Sequence, residues 1–482
     1  MNKKTPGLAK NLGSVYFSNA VNGLLGIALI PILITVLGSE GYGIYSIYVI
    51  VLSYVSIADM GLFKNLQRLL AQSASEDEIV SQLRKAFGFY LTAVIVLIFI
   101  LPIIWYITVY YLFPLDAYDD EHILTVVVLF AVLEFALMIP SKLQQCLVIA
   151  NEKFVLHSKF RLYSGITRYL LIIVVAYLSK DVLLCVAAAS ISWVLNTIIA
   201  WKVMGGVPKP KESWVPDFKF RQMRGMVSHT MGLSGVQIIQ LIILTIGSVL
   251  VNRFFGLEML GKYRSIFDLV SKVWFFSNGL GLIAYPKFVK IVKGKGGGFG
   301  KQLLKFYHLS WFFYMMLAAF GTVALPFVQQ MLSMEGWDAF ELFYILLFFG
   351  VVMNAHSNIS FEMVQAQARY PLVIIISLVT LCIYLILAYV FLDDFGIISI
   401  GLGWVGSQLI NSIALDYKSI GTNLINLTIR YVAITGSFLS ISLLISNESL
   451  IWVIVLLLPL GYFLQEIRRS IKVVQKNREG LL

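Results

Sequence analysis

RFFGLEMLGKYRSIFDLVSKVW (Arg253–Trp274) decides how this chain reads. It sets Arg253, Arg264, Asp268 and Lys272 inside or beside apolar segments long enough to cross a bilayer. Within it, Gly256, Glu258, Gly261 and Tyr263 spell G-x-E-x-x-G-x-Y, and the same pattern stands 218 residues earlier at Gly38, Glu40, Gly43 and Tyr45. A period of that length is too long for a solenoid and suits a membrane protein built from two related halves. The hydrophobic segments around the two copies occupy matching positions.

Working outward, 59% of the 482 residues are hydrophobic and 13% charged, with mean hydropathy +0.84. Soluble domains carry roughly a quarter charged residues, so the reading is an all-α polytopic membrane protein. About 20 apolar residues cross a bilayer core as helix. That rule places about fourteen transmembrane helices, at 12–37, 42–63, 86–113, 123–150, 162–179, 182–201, 227–255, 261–286, 306–332, 342–368, 370–392, 396–415, 429–446 and 450–466. The apolar run after MNKKTPGLAK is too long for a cleavable signal and is read as the first span.

The connections carry the topology. With the N-terminus cytoplasmic, links 64–85, 151–161, 202–226, 287–305 and 416–428 are cytoplasmic and hold most of the lysines and arginines. The basic tail after Gln465 puts the C-terminus inside too, while the outer links carry Asp116, Asp119, Asp120 and Glu121, then Glu335, Asp338 and Glu341, then Asp393 and Asp394. That segregation follows the positive-inside rule. It explains the net charge of +11 without nucleic acid as a partner. Link 202–226, with three prolines and dense basic charge, is the expected seam. The expected organisation is two related helical bundles around a central cavity: a six-helix bundle over 1–205, a basic linker over 206–226, a second six-helix bundle over 227–415, and two extra helices with a basic tail over 416–482.

Several chemistries find no support. Cys146, Cys185 and Cys382 lie within apolar runs and read as packing residues, so neither a disulfide framework nor a metal site is expected. KGKGGGFGK (293–301) lacks the preceding strand and the G-K-[ST] ending of a phosphate loop. The longest outer link, 114–122, is too short for a catalytic domain, and no nucleophile or paired-carboxylate spacing stands out. The expectation is a protein that is not an enzyme and uses no cofactor.

The intramembrane polar residues are the candidates. Asn11, Ser14, Ser18 and Asn22 share one face of the first span, as a cavity lining or as interhelical packing. Arg264, Asp268 and Lys272 follow at i, i+4 steps, and Lys272 lies about 16 Å along the helix from Gly261. A charge at that depth costs about 3 kcal/mol or more unless it is paired or meets water. Arg253, Arg264, Lys272 and Asn22 are therefore the expected substrate contacts, with an Asp268–Lys272 packing pair as the competing reading. Asp268, Glu134, Lys142, His356 and Glu362 are the coupling or gating candidates, Lys142 standing just after Pro140. Arg168 reads as an interfacial residue reaching toward head groups, and Asp59-Met60-Gly61 as a helix-terminus motif.

Lys10-Asn11 before a polar first helix, LGSEGYGIYS (37–46) and IADMGL (57–62) together resemble the polysaccharide-unit (O-antigen type) flippases of the multidrug/oligosaccharidyl-lipid/polysaccharide exporter superfamily. The resemblance covers the chain in length, helix count and two-lobed repeat; its motifs are strongest over 10–62. It implies alternating access in the bacterial cytoplasmic (inner) membrane, both termini inside. Its implied substrate is an undecaprenyl-diphosphate-linked oligosaccharide, moved from the cytoplasmic to the outer leaflet for surface polysaccharide assembly, of which O-antigen lipopolysaccharide is the type the resemblance names. Its implied partners are the lipid bilayer and other polysaccharide assembly proteins. The alternatives are a cation-coupled drug exporter of the same superfamily, which would favour an acidic cavity, and a membrane enzyme acting on lipid-linked sugar.

Overall fold

A computed structural model describes residues 8–59, 61–73, 75–114, 118–204, 215–218, 231–275, 323–332 and 338–420, with isolated residues between 277 and 321. The expected spans 429–446 and 450–466, the basic tail and most of the 206–226 linker lie outside the described residues. Those described are helical, without strands, and nine of their helices are long and apolar enough to cross a membrane. Two of the nine, Gly13–Asp59 and Ser234–Val273, each take in two of the spans read from the sequence. The architecture is that of an all-α polytopic membrane protein.

The first of these long elements is α1, Leu8–Val55, which breaks at Gly38 (φ 75°, ψ 173°). Its repeat partner, α7 (Met231–Val270), breaks at Gly256 (φ 83°, ψ 179°). Both are the opening glycine of the repeated motif, and positive φ is the conformation in which a side chain is penalised and glycine is not. The motif therefore encodes the same backbone corner twice. Its second glycine encodes a close approach. A Cβ on Gly43 would lie 2.7 Å from the Leu257 carbonyl oxygen, and one on Gly261 would lie 1.7 Å from that of Ser39. Ser39 and Leu257 are equivalent positions of the two copies, so the contact is reciprocal.

Between α1 and α7 run a short 3-10 turn (Ser56–Asp59), α2 (Leu62–Gln72), α3 (Glu76–Ile107), α4 (Tyr118–Ala150), α5 (Phe154–Ser179) and α6 (Val182–Val203). Ser75 caps α3 by accepting from the Glu78 amide, and three acidic residues fill that first turn, which suits the positive end of the helix dipole. Helix α2 was unforeseen: link 64–85 contains an amphipathic helix that turns Leu62, Leu66 and Leu70 inward against α4 and leaves Arg68 exposed. The linker is tied down as well. Arg84 Nε donates to the Val215 carbonyl, and the Asp217 amide donates to the Arg84 carbonyl.

After α7 and a 3-10 turn at Ser271–Val273 come α8 (Leu325–Leu332), α9 (Asp338–Ala366), α10 (Tyr370–Val390), α11 (Leu392–Phe395) and α12 (Ile398–Ile420). The chain divides into two compact units, Met1–Leu269 and Val270–Leu482. The seventh span and the start of the eighth thus pack with the first six, as the glycine crossing requires. Within the second unit α9, α10 and α12 pack together, Trp404 of α12 lying against Gly350 of α9 and Tyr384 of α10.

Gly261→Ala is expected to lower the thermal midpoint of the purified protein, by overpacking of about 1–3 kcal/mol. Gly23→Ala, with open space around its new methyl, should leave that midpoint unchanged or raise it. Equal midpoints for the two variants would contradict the crossing.

Candidate functional site

The break at Gly38 starts a tyrosine face. Tyr42, Tyr45 and Tyr48 follow at three-residue steps, their successive ring centroids 6.4 and 5.9 Å apart. The two ends of this face meet different charge clusters, both within the first unit.

At Tyr42 the face meets the charges of the second motif copy. The Tyr42 hydroxyl donates to Asp268 Oδ2 at 2.9 Å, while Arg264 Nη2 donates to Asp268 Oδ1 at 2.5 Å. The Arg264 guanidinium lies 5.3 Å from the Phe267 ring centroid, within cation–π range, and Tyr263 stacks on that ring. Arg264 is only 7% exposed, and its Nε finds no hydrogen-bond partner among the described residues. Arg264 and Asp268 were the sequence's own candidates, and the structure joins them directly; Tyr42 was missed, because it lies 226 residues away. Arg253 is exposed at the corner before Gly256. In the second unit, Lys272 is half-buried in the 3-10 turn.

At Tyr48 the face meets Glu134, which is 2% exposed. Arg168 reaches both its oxygens, Nη1 to Oε1 at 2.6 Å and Nη2 to Oε2 at 3.3 Å. Trp193 Nε1 donates to Oε1 at 2.8 Å, and the Tyr48 hydroxyl donates to Oε2. Arg168 Nη1 also donates to the Ala189 carbonyl. One carboxylate thereby ties α1, α4, α5 and α6. Arg168 does not reach out to the interface as the sequence suggested; it turns inward, because Glu134 offers it a bidentate partner. Glu134, a coupling candidate by sequence, is held in place on every side.

The remaining candidates separate. Asn22 Nδ2 donates to the Arg161 carbonyl at 3.0 Å and its side chain lies against Gly165, while Ser14 bonds Ser158. The polar stripe of the first span packs against α5, and nothing is described of the Asn11 side chain. Asp59 closes the 3-10 turn and accepts from the Tyr90 hydroxyl; Gly61, at φ 70°, turns the chain into α2. Lys142 is half-buried above the Tyr90 and Phe135 rings. In the second unit, His356 Nδ1 lies 2.8 Å from Ser310 Oγ and its Nε2 lies 3.6 Å from Asp416 Oδ2. Ser360 donates to the other oxygen of Asp416, which is fully buried. Asp416 escaped the sequence reading because the twelfth span was ended at residue 415, whereas α12 runs on to Ile420. Glu362, on α9, is half-buried. Among the described residues, no group of His, Cys, Asp and Glu suits a metal ion.

Residues 8–292 match the model of a family described as polysaccharide biosynthesis protein. The chain belongs to this polysaccharide biosynthesis protein family. The match takes in both copies of the glycine motif and every cluster of the first unit. No curated protein matches by sequence. Among solved structures, the lipid II flippase MurJ in an inward closed conformation is similar, at TM-score 0.68 and 14% identity, covering 96% of this chain and 99% of that one. The eukaryotic MATE transporter AtDTX14 follows at TM-score 0.58 and 15% identity, covering 88% and 98%. An inward-facing multidrug resistance MATE transporter of the MOP superfamily reaches 0.56 at 14% identity, covering 87% and 99%. This member of the polysaccharide biosynthesis family therefore has the fold of that exporter superfamily, as residues 10–62 suggested.

For this family member, Glu134→Gln is expected to leave the half-buried Arg168 without its counter-charge, at a cost of about 3–5 kcal/mol, and to lower the thermal midpoint and folded yield. Glu134→Gln with Arg168→Met should recover most of the loss. A double variant no better than the single would contradict the clamp.

Proposed function

We propose that the protein is a flippase. It moves an undecaprenyl-diphosphate-linked oligosaccharide from the cytoplasmic to the outer leaflet of a bacterial cytoplasmic membrane, by alternating access between two lobes and with both termini inside. The observation that carries this reading is Arg264: a guanidinium inside a membrane-spanning helix, steadied by Asp268 and Tyr42, with Nε uncommitted among the described residues. An arginine fork suits phosphate oxygens, and Lys272 and Arg253 extend the positive charge along the same stretch. Membership of a polysaccharide biosynthesis family and a fold shared with a lipid II flippase support the class of cargo.

The energetics favour the direction. An inside-negative potential favours outward movement of an anionic head group by about 2.3 kcal/mol per charge per 100 mV. The polyprenyl tail stays in lipid while the wet glycan and diphosphate cross. A cation-coupled drug exporter of the same superfamily is the competing reading, since MATE transporters share the fold. Cationic drugs would favour an acidic site, and the charges along Arg253–Lys272 sum to a positive stretch. A polymerase or ligase would call for a catalytic residue in an outer loop, and the longest outer link read from the sequence is 114–122.

Neutralising the pair together separates anion binding from packing, because no lone charge is left behind. Arg264→Gln with Asp268→Asn should give folded protein whose flipping in proteoliposomes falls by roughly 10–100-fold, the worth of a charge-assisted hydrogen bond. Lys272→Ala should likewise lower flipping, with Lys272→Arg retaining part of it. A stable double variant that flips at the parent rate would overturn the anion role of Arg264.

A further inference from the structure

Lys142 has a place in the fold that the proposed cycle has not yet used. Its ammonium stands 5.6 Å from the Phe135 ring centroid and 6.0 Å from that of Tyr90. Among the described residues it makes no ion pair and donates no hydrogen bond, so two aromatic faces are its partners. Asp59, bonded to the same Tyr90 hydroxyl, does not come within ion-pair distance. An ammonium carries three donors, and none of the described residues accepts from them. A lysine within a membrane helix persists only when it is paired, meets water or reaches the head groups. Lys142 is half-buried, neither sealed in the core nor out in lipid.

Its depth identifies which of these applies. Lys142 precedes the end of α4 at Ala150 by about 12 Å of helical rise. The 33 residues of α4 run about 50 Å, well beyond a hydrocarbon core of about 30 Å. Lys142 therefore lies near the boundary of the hydrocarbon, on the side of link 151–161. That link carries Lys153, Lys159 and Arg161, and α2 with its exposed Arg68 packs against α4 on the same side. In the orientation proposed above this is the cytoplasmic face, the level at which the phosphates of inner-leaflet lipids lie.

We propose that Lys142 is a reception point for a lipid-borne phosphate, where the diphosphate of the substrate first docks from the inner leaflet before Arg264 takes it. The assignment rests on the flippase reading and deepens it: Lys142 governs loading, whereas Arg264 acts in passage. The aromatic pair holds the ammonium without neutralising it. Arg264, by contrast, is already paired with Asp268. An open cation at the lipid boundary and a guarded one within the span suit two successive stations for one anion.

Phosphate oxygens at this level come from the substrate or from ordinary anionic phospholipid, and the test separates them. The full-length protein is reconstituted with neutral lipid, and binding of undecaprenyl diphosphate is measured for the parent, Lys142→Met and Lys142→Arg. Lys142→Gln serves if the Met variant misfolds. Removing the ammonium should weaken binding by about tenfold and raise the half-saturating substrate concentration while leaving the maximal flipping rate near that of the parent. Lys142→Arg should retain most of the affinity. Phosphatidylglycerol added to the vesicles should not displace the probe. Displacement by phosphatidylglycerol at equal concentration would make this a general lipid-head-group site and overturn the assignment. So would a folded Lys142→Met protein that binds and loads like the parent. Failure of the parent itself to bind undecaprenyl diphosphate would remove the flippase reading and this assignment together, whereas binding untouched by Lys142 removes the assignment alone.

Discussion

Two backbones meet without side chains between them at Gly43 and Gly261, and the first unit is arranged around that crossing. Each approaches the carbonyl of the residue four positions before its counterpart, Gly43 facing Leu257 and Gly261 facing Ser39. The approach demands glycine at both positions, and the corners at Gly38 and Gly256 deliver the helices to it with nearly the same dihedral angles. The repeat at 218 residues is thus a physical contact as well as a pattern. The crossing also explains why α7 packs with the first six spans. It brings Tyr42, beside the first copy of the motif, to Asp268, beside the second, so the charged stretch is held by its own motif partner.

The low-dielectric interior then sorts the charges. A buried ion leaves the membrane span energetically exposed unless hydrogen bonds and an opposite charge surround it. Glu134 receives four donors from three residues and becomes a clamp for four helices. Asp268 accepts from Tyr42 and steadies Arg264, whose Nε faces no acceptor among the described residues. In the second unit Asp416 is closed in by Ser360 and His356. Satisfied groups of this kind hold helices together; incompletely satisfied cations are where an anionic cargo gains most. That difference, more than the number of charges, distinguishes architecture from binding in this molecule.

Local information carried much of this. Hydropathy was enough for the spans that fall on described residues, and the motif glycines stand at both corners. Arg264, Asp268 and Lys272 were legible as one charged face because i, i+4 spacing is a local property of helix, although the pair expected there was Asp268–Lys272 and not Arg264–Asp268. Pairings between helices were not. Arg168 and Glu134 lie 34 residues apart in sequence, so Arg168 read as an interfacial residue until α4 and α5 were seen side by side. Asn22 was left open between a cavity lining and interhelical packing for the same reason, since only packing reveals Gly165 and the Arg161 carbonyl opposite it. Helix α2 was hidden because eleven residues are too few and too polar to register as a span, and Asp416 because the edge of a hydropathy window is not the end of a helix.

The central claim concerns cargo, and leaflet-resolved transport tests it most directly. Purified protein in proteoliposomes would be given a fluorescent undecaprenyl-diphosphate-linked oligosaccharide on one leaflet, and its appearance on the other followed with an impermeant quencher. In parallel, efflux of a cationic dye would be driven by a proton or sodium gradient. The account predicts protein-dependent translocation of the lipid-linked glycan, faster when the potential draws the diphosphate across, and no dye efflux above protein-free vesicles. Gradient-driven dye efflux with the glycan-lipid left on its original leaflet would contradict it.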